Sequence, residues 1–577
     1  MAPYAVAHMK LAMTLKETGY SFCEGHRLNV FLANALECNG NTILPLLNND
    51  PLQEETIQAN AVHDKHVNII IGNPPYRTDS VNQGEWIMRL MEDYKKEPCS
   101  LEKLHERNPK VINDDYVKFI RFAQEILSKE AHAIIAYVLP HSYTDNLTFR
   151  GMRWQLLQEF DSIYIFDLHG NVMSRESTDQ AERDENIFDI QQGVCISFFV
   201  KDGSRKGQDA EIYYSDIFGS RERKYGYLQT TSFEDIQWSI VTPLAPHYFF
   251  KPKDLSQKDE YERGVDLSKL FPINIAGVKT HSDDTLISSL PFDTGYDQLY
   301  DYRPFDIKHI NYDLTKVKRH RNEVMRHFIG HENLGLVINR QVVTDNWSHV
   351  QVVRNMVDNR LHYSRKGIPV ECPMFLYDDN NVRTPNVNRD LLAQFEVSTG
   401  LEFSNELTDD PDKIDIMDLM DYCYGILFSQ NYRDKYRELL SIDFPRVPFP
   451  VSLDMFCDVV QIGKELRLLH LLETPVENGL GIELDGIGNN MITNVTYCPE
   501  QQSVRINGTQ SFINVSADVW DYCFGGYHGM QKWLKDHKQT VLSANDIDHF
   551  ISVCNVFSRS ITLSGSMNDV LSRYGVL

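Results

Sequence analysis

The sequence predicts an α/β fold for residues 1–205 and an α+β fold for the residues that follow. In the first part, short apolar runs typical of buried strands alternate with segments whose apolar residues recur at helical spacing. The predicted strands are 27–32, 67–71, 133–139, 163–168 and 193–200, and the predicted helices include 3–18, 115–129 and 149–160. Because continuously apolar strands are buried on both faces, this alternation indicates a mostly parallel sheet covered by helices.

The second part of the sequence has a different pattern. A polar stretch at 201–209 indicates a boundary, and residues 206–265 are predicted to form a connector of mixed helix and strand. From 266 onward, short strand-like segments, loops and scattered aromatics dominate, with helices predicted at 414–441, 452–474 and 528–537. The predicted organisation is therefore a domain over 1–205, a connector over 206–265 and a domain over 266–577.

Composition places the chain among ordinary globular proteins, with 42% hydrophobic and 24% charged residues among 577. The chain contains no apolar run of about 18 residues and its N-terminus lacks the features of a secretory signal, so no membrane association is expected. The 10 cysteines form no Cys-x-x-Cys pair, which argues against a zinc site or a disulfide framework. No metal is expected, and the cytoplasm is the predicted location.

The net charge of −24 bears directly on the class of partner. Polyanions repel polyanions, so nucleic-acid binding requires a local basic surface. Residues 301–370 provide one, because they hold 12 Lys and Arg side chains against 7 acidic ones. An ordinary solvated surface is the alternative interpretation, and charge alone does not decide between the two.

The most informative residues are Asn73, Pro74, Pro75 and Tyr76, which directly follow the predicted strand 67–71. Methylation of an exocyclic amine requires its lone pair, and two acceptors that bind both N–H groups favour a pyramidal nitrogen. The Asn73 side-chain oxygen and the Pro74 carbonyl suit this task, since proline rings restrict the backbone. Tyr76 can stack on an extruded base, which contributes roughly 1–3 kcal/mol. A rigid turn is the alternative, but the position after a strand favours a site at the sheet edge.

The segment Ile69–Tyr76 resembles the catalytic motif of gamma-type adenine-N6 DNA methyltransferases. Further segments are similar to segments of type ISP restriction–modification enzymes, so the resemblance covers nearly the whole chain. These segments are 149–153, 167–171, 184–194, 302–306, 445–450 and 524–527. The resemblance implies a truncated Rossmann-like methyltransferase sheet over 1–205, followed by an α+β target-recognition domain over 266–577. It also implies methyl transfer from S-adenosyl-L-methionine to a flipped adenine in double-stranded DNA, with Asn73, Pro74 and Tyr76 engaging the base.

The same resemblance places Asn34 and Tyr4 near the cofactor. A turn residue is an equally good interpretation of Asn34, and simple helix packing is the preferred one for Tyr4. The family's Gly-rich cofactor loop has no counterpart, because Gly19, Gly25 and Gly40 are isolated. The chain is therefore expected to bind the cofactor poorly alone. A split gene whose other chain carries the loop, helicase and nuclease, a truncated product and an expression fragment remain open.

Residues 266–577 are expected to read the DNA sequence. The residues proposed for nucleic-acid contact are Lys316, Lys318, Arg319, Arg321, Arg340, Gln341, Arg365 and Lys366. Lys and Arg side chains suit phosphate contact, and Arg and Gln can pair with guanine and adenine edges. A solvated surface role is the stronger interpretation for each residue alone, so the prediction concerns the group.

Two other classes of function remain open. The chain could be a non-catalytic DNA-binding specificity subunit or a degenerate fragment, because the cofactor loop has no counterpart. It could also be a methyltransferase acting on protein amides or RNA, because Asn-Pro-Pro-Tyr occurs in glutamine-modifying enzymes too. The long, aromatic-rich second part favours DNA.

Overall fold

A computed structural model describes residues 2–22, 28–31, 34–37, 58–59, 65–100, 102–106, 109–171, 184–344, 346–365 and 367–577. The chain divides into two compact units, Met1–Lys253 and Asp254–Leu577, which are the first and second unit below. This boundary lies within the predicted connector 206–265. Residues 211–216 and 239–241, which lie within the predicted connector, are strands of the first unit's sheet.

The first unit contains helices and strands close to those predicted, except that residues 28–31, the described part of the predicted strand 27–32, form no strand. Its helices are α1 (Ala2–Glu17), α2 (Glu85–Met91), α3 (Asp115–Leu127), α4 (Arg150–Glu159) and α5 (Arg221–Thr230). Its strands are β1 (Ile69–Gly72), β2 (Ala133–Pro140), β3 (Ser162–Asp167), β4 (Val194–Lys201), β5 (Glu211–Asp216) and β6 (Ser239–Val241).

The six strands form one sheet in the order β1-β2-β4-β3-β5-β6. The pairs β1–β2 and β3–β5 are parallel, whereas β4 is antiparallel to both β2 and β3, and β6 is antiparallel to β5. The sheet is therefore mixed rather than mostly parallel. Connection length does not explain the difference, since the 26 residues between β3 and β4, 168–193, would be enough for a parallel crossover.

Helices cover both faces of this sheet, as the sequence predicted. On one face, Ile120 of α3 and Leu156 of α4 join a buried cluster with Ile135 and Ile163. On the other face, Phe166 stacks on Tyr227 of α5 with ring centroids 5.7 Å apart. Helix α3 begins where the Asp114 side chain accepts a hydrogen bond from Tyr116 N, a favourable N-cap.

Strand β1 departs from the predicted burial. It is at the sheet edge, and Ile69 and Ile71 are 61% and 78% exposed. Ile70 points to the opposite face and packs against the core. A continuous apolar run predicts that both faces of the strand are buried. Among the described residues, only the face that carries Ile70 is covered by other side chains.

The second unit combines several small sheets with long helices. Its helices are α6 (Lys258–Glu262), α7 (Leu267–Leu270), α8 (Asp283–Leu286), α9 (Asn322–Met325), α10 (Arg389–Thr399), α11 (Ile416–Phe428), α12 (Gln430–Lys435), α13 (Arg437–Ile442), α14 (Leu453–His470), α15 (Ala517–Trp520), α16 (Gly529–Asp536) and α17 (Ala544–Arg573). Its strands are β7 (Val265–Asp266), β8 (Ile275–Ala276), β9 (Ile287–Ser288), β10 (Asp297–Arg303), β11 (Asp306–Asn311), β12 (Gly335–Asn339), β13 (Val350–Val353), β14 (Met356–Val357), β15 (Pro369–Pro373), β16 (Phe375–Tyr377), β17 (Arg383–Pro385), β18 (Glu402–Phe403), β19 (Lys413–Ile414), β20 (Arg446–Val447), β21 (Glu483–Asp485), β22 (Thr496–Cys498), β23 (Ser503–Arg505), β24 (Ser511–Ile513), β25 (Cys523–Phe524) and β26 (Tyr527–His528).

Two four-stranded sheets carry the loops that matter below, in the orders β13-β12-β15-β8 and β14-β10-β11-β9. Helices α11, α14 and α17 form the main core of this unit with buried Tyr422, Leu466 and Phe557. Helices α11 and α14 approach closely at Gly463, where an added Cβ would lie 1.9 Å from the Asp421 carbonyl. Among the described residues, no helix has the length and apolar character needed to cross a membrane.

Candidate active site and basic surface

The Asn-Pro-Pro-Tyr segment lies at the carboxyl edge of the sheet, directly after β1. Gly72 pairs with Tyr137 in the parallel β2, so Asn73 follows the strand at the level of Val138. Asn73 is exposed and Pro74 is buried, while Pro75 is exposed and Tyr76 is half-buried. An amide and a proline-restricted carbonyl therefore reach the sheet edge where open α/β sheets bind ligands.

The Tyr76 hydroxyl lies between two oxygens of this edge. Its Oη is 3.0 Å from Asn73 Oδ1 and 3.0 Å from the Val138 carbonyl oxygen. The Tyr76 ring is edge-on to the ring of Tyr116, with centroids 6.4 Å apart. Burial raises the pKa of Tyr76 above its ordinary value, so the hydroxyl keeps its proton at neutral pH.

The loop after Tyr76 is tied to the start of α3. Asp114 accepts hydrogen bonds from Arg77 N at 2.9 Å and from Thr78 Oγ1 at 3.0 Å. Ser80 Oγ accepts from Lys118 Nζ at 2.7 Å and donates to an Asp115 carboxylate oxygen at 2.5 Å. These contacts hold the backbone that presents the Asn73 side chain.

Sequence reasoning missed these anchoring residues. The sequence feature that could have identified them is the pair Asp114 and Asp115 at the start of an amphipathic segment, which is typical of a helix N-terminus.

A buried carboxylate, Asp167, ends strand β3 near this edge. Its oxygens lie 2.9 Å from His141 Nδ1, and they accept from His169 N at 2.9 Å and from the Tyr214 hydroxyl at 3.0 Å, with Lys251 Nζ at 3.6 Å. Burial acts to raise the pKa of Asp167, but His141, His169 and Lys251 together hold it well below its ordinary value. The atoms of His141, Asp167 and His169 that could bind a metal lie within 4.8 Å of one another. Because the carboxylate already receives these donors, we assign the cluster to joining the ends of β2 and β3.

The two predicted cofactor residues lie in local structure. Asn34 Nδ2 donates to Glu37 Oε1 at 3.0 Å and to Asn82 Oδ1 at 2.9 Å, and its Oδ1 accepts from Leu36 N. Tyr4 lies on α1, with its ring 4.7 Å from that of His8. The described residues here, 2–22, 28–31 and 34–37, form no glycine-rich turn after a strand. They do not by themselves fit the methionine moiety of S-adenosylmethionine, and the cofactor role of Asn34 and Tyr4 stays a prediction.

Three segments of the second unit leave the sheet β13-β12-β15-β8 at one edge, and some of the predicted basic residues lie in them. Asn339 at the end of β12 pairs with Pro369 at the start of β15, and Val370 pairs with Ala276 at the end of β8. The chain segments after β12, before β15 and after β8 therefore leave the sheet at the same edge. Lys279, which follows β8, forms backbone hydrogen bonds with Arg319.

These segments and the 312–321 loop after β11, which pairs with Lys279, bring most of the predicted basic residues to one region, called the basic edge below. The basic edge consists of Lys279, Lys316, Lys318, Arg319, Arg321, Arg340, Gln341 and Arg365. Lys366, also predicted, lies outside the described residues. Lys279 was not predicted, because only the pairing of its backbone with Arg319 places it here.

The members of the basic edge differ in exposure and pairing. Lys316 forms an ion pair with Asp313 at 3.2 Å, and half-buried Arg340 forms one with Asp443 at 3.0 Å. In the described part of the chain, exposed Lys318, Arg319 and Arg365 form no ion pair. The half-buried Gln341 lies beside Ser364, whose hydroxyl contacts the Gln341 carbonyl. The charges that remain free to meet an anion are thus concentrated at Lys318, Arg319 and Arg365.

A second feature of this unit is a pair of buried acids. Asp301 on β10 accepts hydrogen bonds from the backbone and side-chain nitrogens of Asn355, and it lines a cavity of about 520 Å³. Burial raises the pKa of Asp301 to about 7. Burial and the neighbouring Asp301 raise the pKa of Glu371 well above its ordinary value.

This burial predicts a pH dependence of stability. Between about pH 4 and 7 the folded chain holds a proton on Asp301 that the unfolded chain, with a pKa near 3.8, releases. The free energy of unfolding of the second unit is therefore expected to fall as pH rises through that window. Asp301→Asn should flatten the fall in urea titrations at several pH values, whereas Asp293→Asn at an exposed position should not. An equal slope in wild type and Asp301→Asn contradicts the assignment.

The fold and the site together define a class. The first unit has a mixed sheet whose edge strand ends in Asn-Pro-Pro-Tyr, and the second unit carries the basic edge; a methylase model and a specificity-domain model match these two parts of the chain. Residues 2–173 match the family model of the Eco57I restriction-modification methylase, and residues 279–555 match the Type ISP C-terminal specificity domain. The resemblance to the type ISP group is thereby confirmed.

Solved structures share the fold at low sequence identity. The DrdV–DNA complex is 20% identical with a TM-score of 0.70, covering 89% of this chain and 58% of that one. The ATP-dependent Type ISP restriction-modification enzyme LlaBIII bound to DNA is 17% identical with a TM-score of 0.77, covering 98% and 42%. A nuclease-deletion mutant of the Type ISP enzyme LlaGI with a DNA substrate mimic is 18% identical with a TM-score of 0.72, covering 99% and 50%. The chain thus spans about half the length of these structures. Comparison with curated proteins gives no match.

Proposed function

We propose that this chain is the site-specific adenine-N6 methyltransferase component of a restriction–modification system, acting on double-stranded DNA. The observation that carries the proposal is the exposed Asn73 amide, which follows an edge strand and precedes the Pro74 carbonyl. The match of residues 2–173 to a restriction-modification methylase supports the reaction class. S-adenosylmethionine, which that family implies, supplies an electrophilic methyl group when bound.

The residues of this chain act on the target amine. Asn73 Oδ1 and the Pro74 carbonyl accept its two N–H bonds, which withdraws the nitrogen lone pair from the ring and directs it outward. Stacking of the extruded adenine on Tyr76 contributes roughly 1–3 kcal/mol. The residues of this chain need supply no strong general base, because a methylated amine would carry a positive charge and would release its proton to solvent.

The test is methyl transfer to DNA by the full chain, with the cofactor in large excess because the chain alone is expected to bind it poorly. Genomic DNA is incubated with the chain and methyl-labelled S-adenosylmethionine, and the labelled nucleosides are identified by mass spectrometry. N6-methyladenine is the expected product. Label in N4-methylcytosine, RNA or protein amides would contradict the proposal, and duplex binding without any label would favour the non-catalytic specificity subunit. The separate chain and the cytoplasmic location expected from the sequence stay predictions.

We place the duplex on the basic edge of the second unit. Its match to a specificity domain supports this placement, as do the free charges of Lys318, Arg319 and Arg365. Phosphate contacts release counterions, so each one adds about 0.9 to the slope of log affinity against log salt. The net charge of −24 makes a localised surface necessary, since the rest of the protein repels DNA.

Removing three of these charges tests the placement. The triple change Lys318→Ala, Arg319→Ala and Arg365→Ala is expected to weaken duplex binding and to reduce the salt slope by about 1 per lost contact. Fluorescence anisotropy with labelled duplex at several salt concentrations measures both quantities. The matched control replaces exposed Arg505, Lys535 and Lys538 by Ala, which changes the net charge equally. If both triple variants lower the slope alike, the basic edge has no special role.

A further inference from the structure

The Tyr76 hydroxyl faces more acceptors than it has protons. Oη lies 3.0 Å from both Asn73 Oδ1 and the Val138 carbonyl oxygen, and a phenolic hydroxyl donates only one hydrogen bond. In one of the two contacts, Oη must therefore accept a hydrogen bond rather than donate one. Two oxygens at hydrogen-bonding distance without a proton between them repel each other.

The Val138 carbonyl determines which of the two oxygens receives the hydrogen bond that the Tyr76 hydroxyl donates. A backbone carbonyl oxygen can only accept, so the Tyr76 hydroxyl donates to Val138. The phenol stays protonated, since burial raises its pKa. The remaining lone pairs of Oη can then only receive a hydrogen bond from Asn73.

A half-turn of the Asn73 carboxamide supplies that donor. The two orientations occupy the same space and differ only in whether Oδ1 or Nδ2 faces Tyr76. We infer that Tyr76 is a positioning residue whose hydroxyl, bonded to the Val138 carbonyl, receives Asn73 Nδ2–H and so turns Asn73 Oδ1 toward the substrate. This inference rests on the proposed function and assigns Tyr76 a role beyond stacking.

The consequence is a selection rule for the target group. An outward Oδ1, together with the Pro74 carbonyl, presents two acceptors, which match the two N–H donors of an exocyclic amine. An outward Nδ2 would face an amine donor to donor and would instead suit a keto oxygen. The backbone carbonyl of Val138 therefore determines, through Tyr76 and Asn73, that the site accepts an amino base.

Tyr76→Phe removes the hydroxyl and retains the stacking ring. The expected result is a loss of about 10-fold in kcat for methylation of genomic DNA, because the carboxamide then adopts both orientations, with KM for DNA changed less than about twofold. Tyr94→Phe is the matched control, since it removes a buried hydroxyl that bonds Gln124 in the same core. A pure stacking role leaves kcat of Tyr76→Phe at the wild-type value, which would overturn the inference.

The Asn73→Asp background separates positioning from a general structural effect. A carboxylate presents an oxygen in either orientation, so Tyr76→Phe should cost less than about twofold in kcat there. An equal loss of kcat on adding Tyr76→Phe to the wild type and to the Asn73→Asp variant would contradict the inference.

Orientation is also measured without activity. In the full chain carrying ¹⁵N-asparagine, the Asn73 side-chain amide signals are assigned by their loss in Asn73→Asp. Tyr76→Phe should move the hydrogen-bonded Nδ2 proton upfield, and Tyr94→Phe should not. Unmoved Asn73 signals overturn the inference, whether or not the chain methylates DNA. Absence of methylation by wild type contradicts the proposed function instead.

Discussion

Asn73→Ala is expected to lower kcat for adenine methylation by about 100- to 1,000-fold, because it removes one of two acceptors aimed at the reacting amine. Pro74 leaves the second acceptor in place, so residual activity is expected. Duplex affinity should stay near the wild-type value, since the basic edge belongs to the second unit. Labelled methyl incorporation gives kcat, and anisotropy gives the affinity.

The control for this change is Asn68→Ala. Asn68 is an exposed asparagine just before β1, and its Nδ2 donates to the His132 carbonyl at 2.7 Å. It lies at the opposite end of the strand from Asn73, so its loss should leave methylation within about twofold of wild type. Comparable activity of Asn73→Ala and Asn68→Ala would remove the basis of the proposed mechanism.

Arg153→Met is expected to destabilise the first unit by about 3–5 kcal/mol. The guanidinium is fully buried and donates to the carbonyls of Tyr143 at 2.7 Å, Asn146 at 2.8 Å and His247 at 2.7 Å. Methionine fills the volume but leaves three buried carbonyls without these donors, each at a cost of about 1–3 kcal/mol. Burial lowers the pKa of Arg153 to about 9, so the side chain is still charged at pH 7.

Urea denaturation followed by hydrogen exchange distinguishes this loss from effects on the second unit. Peptides spanning 143–153 should exchange faster in Arg153→Met, while peptides from α11 and α14 should be unchanged. The control is Arg89→Met at an exposed position of α2, which removes the same charge. A free energy of unfolding equal in the two variants contradicts the structural role of Arg153.

Several parts of the fold follow from local sequence. The bounds of α3, α4, β2 and β3 agree with prediction to within a few residues, because the spacing of their apolar residues is a local signal, and Asp114 also caps the start of α3. In contrast, α17 was not predicted, although it spans 30 residues. Its interior is rich in Ser, Thr, Val and Ile, which have weaker helix propensity, and packing against α14 and α11 stabilises it instead.

The sequence by itself determined that an apolar strand leads directly into Asn73, two prolines and Tyr76, so the amide stands at a strand end through local geometry alone. Only the tertiary structure decided that β4 runs antiparallel between β2 and β3, and that Lys279 joins Arg319 at the basic edge. It also brought the Val138 carbonyl to the Tyr76 hydroxyl. These contacts join residues far apart in the chain, so their formation depends on strand pairing and packing that no local sequence pattern specifies.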